Sequence, residues 1–66
     1  MQVLINGETK DIPSAATVQD LIQLLELKND RVAVELNREI VKQRDWESTS
    51  VEAGAQVEIV HFVGGG

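Results

Sequence analysis

The residues that could take part in chemistry stand at the end of this chain, where Gly64, Gly65 and Gly66 follow an apolar segment. Three glycines give a stretch without side chains, and the reactive group that it carries is the carboxylate of Gly66. Such a backbone can enter a slot too narrow for other residues. Taken alone, the tail is explained more simply as a frayed end or a cloning remnant, since termini are often poorly ordered.

The ionisable side chains elsewhere form no catalytic set. No orienting carboxylate or nucleophile stands at a suitable spacing from His61, the one histidine. Asp45 and Glu47 flank Trp46 without the ligand-rich pattern of a metal-binding loop. The chain has no cysteine, which excludes a disulfide framework, a thiolate metal site and a cysteine nucleophile. We therefore expect no catalytic residue, no metal site and no cofactor bound by this chain.

Length and charge narrow the class of protein. Sixty-six residues allow one small domain. A net charge of −5 disfavours nucleic-acid binding, because a phosphate backbone would repel the surface. No apolar run approaches the roughly 20 residues that span a bilayer, and residues 1–6 lack the basic start of a signal peptide. The composition predicts a cytoplasmic domain that binds neither nucleic acid nor membrane.

The elements that must hold the tail begin with a hairpin. Residues 1–5 form a strand pattern, with Met1, Val3 and Ile5 on one face and Gln2 and Leu4 on the other. Asn6 and Gly7 follow, and this pair is a strong signal for a type I′ turn because both residues tolerate positive φ. Residues 8–12 return as a second, more polar strand, which Pro13 ends.

One amphipathic helix of about three turns is predicted next. Thr17 is placed to cap its N-terminus, and Asp20 three residues later resembles the partner in a capping box. Lys28 suits the C-terminal end of the helix, which residues 29–30 then terminate. The predicted apolar stripe consists of Val18, Leu21, Ile22 and Leu25, widened by Leu24 and Leu27.

The second half of the chain adds further strands. Residues 31–37 alternate again, and a tight turn at residues 37–38 leads to a short apolar strand over residues 39–41. Residues 42–50 are polar and irregular around Trp46, whose ring we expect to cover an open end of the core.

The last strand, residues 56–62, follows a turn at Gly54. This order of elements predicts an α+β fold with the helix across one face of a mixed sheet of four to five strands. We expect the first and last strands to run parallel at the sheet centre, which would bring the tail out at one edge of the body. The predicted domain then covers residues 1–63, with residues 64–66 as a flexible C-terminal Gly tail.

Three segments carry a resemblance to a known family: residues 1–8, residues 32–41 and residues 57–66, together with Thr17 and Trp46. Through these segments the resemblance extends over the whole chain. The chain resembles the ThiS family, the small sulfur carrier proteins of thiamin (thiazole) biosynthesis, which have the ubiquitin-like β-grasp fold. A terminal pair of glycines is less specific, because MoaD-like carriers and ubiquitin-type modifiers share it. The length of this chain also suits the ThiS family better than the MoaD-like carriers.

The resemblance implies a chemical role for the terminus. A ThiF-type adenylating enzyme would use ATP and Mg to activate the carboxylate of Gly66. Sulfur from a donor such as a cysteine desulfurase would then displace AMP and leave a thiocarboxylate. A ThiG-type thiazole synthase would accept that sulfur, with Gly64 and Gly65 threading the tail into the partner active sites. The chain would be a sulfur-carrying co-substrate and not an enzyme.

A partner-binding patch follows from the alternation of the strands. If Val3 and Ile5 face the helix, then Leu4 faces outward, and Val60 and Phe62 face outward on the last strand. These three residues would form one exposed apolar patch beside the tail, of a kind that often marks an interface. Ordinary surface apolarity is the alternative explanation. Glu58 could add electrostatic steering toward a basic partner.

Other functions stay open from the sequence. The same tail suits a MoaD-like sulfur carrier for molybdopterin synthesis, or a ubiquitin-like modifier that forms isopeptide bonds. A plain interaction module or a small enzyme is the third class. An enzyme would have to turn over substrate as the purified chain alone.

Overall fold

The computed structural model of the chain describes residues 1–27 and 31–62. Within these ranges five strands form one sheet, accompanied by an α-helix and a 3₁₀ helix. The predictions for residues 28–30 and 63–66, where the predicted helix end and the predicted Gly tail stand, lie outside the described residues. The elements in chain order are β1 Gln2–Ile5, β2 Glu8–Asp11, α1 Val18–Leu24, β3 Val32–Leu36, β4 Glu39–Val41, the 3₁₀ helix Gln43–Ser48 and β5 Gln56–His61.

The strand order across the sheet is β2-β1-β5-β3-β4. β1 and β5 run parallel, with Leu4 opposite Gln56 and Ile5 opposite Val57. The other three pairings are antiparallel. The predicted parallel pairing of the first and last strands at the sheet centre is therefore confirmed, and so is the α+β fold class.

Two turns reverse the chain with the same backbone conformation. Asn6 and Gly7 have φ of 50° and 82°, as the Asn-Gly signal predicts. Asn37 and Arg38 have φ of 51° and 72° between β3 and β4. Asparagine tolerates this left-handed region better than most residues, which explains its place at the start of both turns.

The start of α1 is the predicted capping box. The Asp20 N–H donates to Thr17 Oγ1 at 3.1 Å, and the Thr17 N–H donates to Asp20 Oδ2 at 3.0 Å. These two bonds satisfy backbone donors that the first turn of a helix leaves free. The helix therefore begins at Val18 as predicted.

The predicted length of the helix was wrong, because α1 ends at Leu24 after seven residues. Glu26 adopts φ of 57°, and the N–H groups of Glu26 and Leu27 bond back to the carbonyls of Gln23 and Ile22. This is a Schellman motif with glutamate in the position that glycine usually takes. Leu24 does not widen the apolar stripe as predicted, since it is 52% exposed.

The core lies on one face of the sheet, beneath α1 and the 3₁₀ helix. The Trp46 side chain is only 1% exposed, and its Nε1–H donates to the Val41 carbonyl at 2.9 Å. Residues 43–48 form the 3₁₀ helix where an irregular segment was predicted, and this helix packs against α1. The buried strand residues are Val3 and Ile5 of β1, Val32 and Val34 of β3, and Val57 and Ile59 of β5.

Candidate functional site

The open face of the sheet lies on the side away from α1. Along β5 the exposed residues Gln56, Glu58 and Val60 alternate with the buried Val57 and Ile59. The same alternation in the neighbouring strands brings Leu4 and Glu35 to this face, because each stands opposite an exposed residue of β5. The side chains of the open face therefore do not pack in the core.

A groove of about 380 Å³ runs across the open face. Leu4, which is half-buried, and Val60, which is 55% exposed, both line it. Glu58 stands between them along β5, because Leu4 is level with Gln56. The lining residues are Leu4, Gly7, Glu35, Arg38, Gln56, Val57, Glu58 and Val60.

Two glutamates that line this groove are direct neighbours on adjacent strands. Glu58 of β5 pairs directly with Glu35 of β3, and like charges placed directly opposite in a sheet are destabilising. Neither carboxylate forms an ion pair with any residue in the ranges 1–27 and 31–62. Arg38 lines the same groove. The face therefore combines apolar contact area with negative charge that has no partner among the described residues.

The predicted apolar patch is divided in the structure. Leu4 and Val60 line the groove together, whereas Phe62 lies outside its lining, beyond the end of β5. Phe62 is 57% exposed, and its N–H donates to the Arg31 carbonyl at 2.8 Å. Gly64, Gly65 and Gly66 lie outside the described residues. The structure thus brings together two of the three patch residues and adds Glu35, which sequence reasoning did not select.

Two asparagine side chains that bind β5 were also missed. Asn6 bonds both backbone groups of Ile59: its Oδ1 accepts the N–H at 2.8 Å, and its Nδ2 donates to the carbonyl at 3.2 Å. Asn37 Oδ1 accepts the Gln56 N–H at 3.0 Å. The sequence predicted both asparagines as turn residues only. The available signal for Asn6 was that it follows the first strand, which was predicted to run parallel to the last strand.

The chemistry that the described side chains can perform is recognition. His61 is exposed on β5 and has no carboxylate partner among the described residues. Across residues 1–27 and 31–62 there is no group of three or more histidine, aspartate or glutamate side chains that could hold a metal ion. No helix in the described ranges has the length and apolar character needed to cross a membrane.

The curated proteins similar to this chain include thiazole synthases and sulfur carrier proteins. The chain is 39% identical over 66 residues to a protein named Thiazole synthase from Paramagnetospirillum magneticum (strain ATCC 700264 / AMB-1), covering 100% of this chain and 20% of that protein. It is 38% identical over 63 residues to the Sulfur carrier protein ThiS of Bacillus subtilis (strain 168), covering 94% of this chain and 96% of that protein. The chain thus spans about a fifth of the length of the thiazole synthases and nearly all of the carrier.

Family and structure comparisons agree with these relatives. The sequence profile of the ThiS family matches residues 3–66. The fold matches the crystal structure of the thiamine biosynthesis protein ThiS from Geobacter metallireducens with a TM-score of 0.87 and 30% identity, covering 100% of both chains. With the family pattern present over almost its whole length and the fold shared, the chain belongs to the ThiS family of sulfur carrier proteins of thiamin biosynthesis.

Proposed function

We propose that this chain carries sulfur as a thiocarboxylate on Gly66 and delivers it for thiazole formation. The family match supports this proposal because it extends through residue 66 and so includes the three glycines. Carriers of this family are not catalysts, so the chemistry would be performed by partner enzymes. The proposal requires a free carboxylate on Gly66, which intact-protein mass spectrometry can establish.

The observation that carries the proposal is the position of β5 at the centre of the sheet. β5 pairs with β1 at its start, over Gln56 and Val57, and with β3 from Val57 to His61, and residues 62–66 follow it in the chain. A strand inside a sheet is more firmly held than an edge strand. The segment that would carry the sulfur therefore follows a strand that β3 holds up to its last residue.

The chemistry follows from the low reactivity of a carboxylate. One oxygen of the Gly66 carboxylate attacks the α-phosphorus of ATP, held with Mg by a ThiF-type partner, and pyrophosphate leaves. A thiol would release sulfide from the persulfide of the sulfur donor and end as a disulfide, and this sulfide would then attack the carbonyl carbon of the acyl adenylate. AMP leaves with the carboxylate oxygen, and one oxygen of the terminus has been replaced by sulfur. This exchange requires no redox step at the carrier.

The partners that this scheme needs are an adenylating enzyme of the ThiF type, a sulfur donor such as a cysteine desulfurase, and a thiazole synthase of the ThiG type. Support for the last of these comes from the thiazole synthases that contain a segment matching this whole chain. A carrier segment and a synthase in one polypeptide indicate that the two act together. ATP and Mg belong to the activating partner, and this chain would bind no cofactor of its own.

The open face would dock the activating enzyme. Leu4 and Val60 supply apolar contact, Phe62 extends it toward the C-terminus, and Glu58 supplies negative charge. Clusters of apolar residues rimmed by charge are typical of protein interfaces. The carboxylates of Glu35 and Glu58 favour a partner surface that presents lysine or arginine.

The experiment incubates the chain with a ThiF-type enzyme, ATP, Mg and a sulfur donor, and measures the intact mass. Replacement of one oxygen by one sulfur is expected, and it should depend on ATP. Adding a ThiG-type synthase should then yield thiazole product. An unchanged mass would overturn the carrier proposal. Conjugation to lysine would indicate a modifier, and dithiolene formation in a molybdopterin system would indicate the other carrier pathway.

The glycines of the tail are tested by Gly65→Val. The added side chain should block passage into the partner active site, so thiocarboxylate formation should fall sharply while the circular dichroism spectrum stays unchanged. Gly65→Ala adds a single methyl group and is expected to have a smaller effect. A normal thiocarboxylate yield from Gly65→Val would contradict the threading of the tail.

A further inference from the structure

We infer that Asn6 is a positioning residue: its side-chain amide holds the C-terminal part of β5 where β1 has ended, and so fixes the direction in which the chain leaves the sheet. The inference rests on the proposed function, since direction matters only if partners must reach the C-terminus. It assigns to Asn6 a role beyond the turn that it forms with Gly7.

The pairing of β1 with β5 stops before β5 does. β1 ends at Ile5, level with Val57, whereas β5 continues to His61. The last backbone bond between the two segments is from the Asn6 N–H to the Val57 carbonyl at 2.8 Å. At Asn6 the chain turns away with positive φ. Beyond Val57 no backbone of β1 remains to pair with β5.

The Asn6 side chain supplies the two bonds that a longer β1 would have made. In a continued parallel ladder, the Asn6 carbonyl would accept from the Ile59 N–H, and the residue two positions later would donate to the Ile59 carbonyl. The Asn6 carboxamide does both, with Oδ1 accepting at 2.8 Å and Nδ2 donating at 3.2 Å. Asparagine is the short side chain that carries a donor and an acceptor together.

The two Asn6 bonds matter because the C-terminal part of β5, beyond Val57, is otherwise paired only with β3. The Phe62 N–H donates to Arg31 at 2.8 Å, on the β3 side. Ile59 is buried, so loss of the amide would leave both of its backbone groups without a partner in a partly buried place. The strand could then bend away from the β1 side, and the residues that follow Phe62 would start in a different direction.

The chain contains a matched control for this role. Asn37 also begins a turn, with φ of 51° against 50° for Asn6, and it also bonds β5 through its side chain. Its contact is with Gln56, at the end of β5 remote from the C-terminus. Glycine adopts positive φ without steric cost, so Asn6→Gly and Asn37→Gly each remove a side chain while keeping the turn.

The first measurement is amide hydrogen exchange by NMR, which needs no partner enzyme. In Asn6→Gly the Ile59 amide should exchange faster, while the amides of Glu58 and Val60, which face β3, stay protected. In Asn37→Gly the faster amide should be that of Gln56. Unchanged exchange at Ile59 in Asn6→Gly would overturn the inference directly.

The second measurement is activation by the adenylating enzyme, followed by pyrophosphate release. Asn6→Gly should lower kcat by about tenfold with little change in KM, since misplacement of a reacting group costs rate more than docking. Asn37→Gly should leave both constants unchanged. Asn6→Asp keeps the acceptor for the Ile59 N–H but loses the donor, so its kcat should lie between those of the wild type and Asn6→Gly.

The outcomes separate this inference from the proposed function. Equal losses of kcat in Asn6→Gly and Asn37→Gly, or no loss in Asn6→Gly despite faster exchange at Ile59, would overturn the positioning role. A wild-type chain that is never adenylated would instead overturn the proposed function, and the role in delivery with it. A selective loss of kcat in Asn6→Gly, with partial recovery in Asn6→Asp, is the result expected.

Discussion

The same strands form two faces of the sheet that differ in burial and in residue type. The inner face presents valine and isoleucine to α1 and Trp46, and its side chains are buried with no buried polar group among the described residues. The outer face presents Leu4, Val60 and the opposed carboxylates of Glu35 and Glu58 around an open groove. Because strand side chains alternate, each face could be specified independently of the other. The inner face determines that the domain folds, and the outer face is free to determine what it binds.

The largest expected effect comes from the core between the inner face of the sheet and the helices that cover it. Trp46→Ala removes a ring that is 1% exposed and should lower the free energy of unfolding by about 3–5 kcal/mol, most of the stability of so small a domain. Urea unfolding followed by circular dichroism measures it. Ile40→Ala is the control, because Ile40 is 74% exposed on the outer face and should change stability by no more than about 0.5 kcal/mol. Similar losses in both variants would remove the distinction between the faces.

An intermediate effect is expected on the outer face, where we propose that the adenylating enzyme docks. Val60→Asp should lower the free energy of unfolding by no more than about 1 kcal/mol. It should raise the Kd for the proposed adenylating partner by about tenfold or more, since it places a charge in an apolar contact. Titration calorimetry measures the Kd. Ile40→Asp makes the same change on the same face, on the edge strand β4 and outside the groove. Equal affinities for the two variants would argue that the groove is not the docking surface.

The smallest expected effect comes from Glu58, which should influence both the stability of the sheet and the rate of association with the partner. Glu58→Lys turns a repulsion with Glu35 into an attraction, so the free energy of unfolding should rise by about 0.2–1 kcal/mol. The association rate with the partner should fall, and the difference from wild type should shrink as salt is added. Stopped-flow measurements at two salt concentrations test this. A faster association would mean that the partner surface is not basic.

Much of the fold could be predicted because local signals and side-chain periodicity agreed. The Asn6-Gly7 turn, the Thr17 capping box and the alternation of β5 each depend on residues close together in sequence. The end of α1 could not be predicted, because Glu26 takes a left-handed conformation that its residue type rarely adopts. The position of the helix end depends on tertiary packing, because Leu25 and Leu27 contact the core from beyond the helix.

The candidate site was less predictable than the fold. Alternation placed Leu4 and Val60 on one face, but their separation by Glu58 depends on the register between β1 and β5. The position of Glu35 beside Glu58 on this face depends on the register between β3 and β5. Neither register can be predicted from the sequence of one strand alone. The bonds of Asn6 to Ile59 join residues far apart in the chain. Such features need the folded sheet before they can be seen.

The central place of β5 also determines what an incomplete chain can do. Without this strand the sheet separates into two hairpins, β1 with β2 and β3 with β4, which share no pairing with each other. An isolated hairpin is at best marginally stable in water. We therefore expect a chain that stops before Gln56 to lack a folded outer face, and so to be unable to compete with the complete chain for the proposed activating enzyme. Truncated products should be cleared as unfolded chains and should not act as competitive inhibitors.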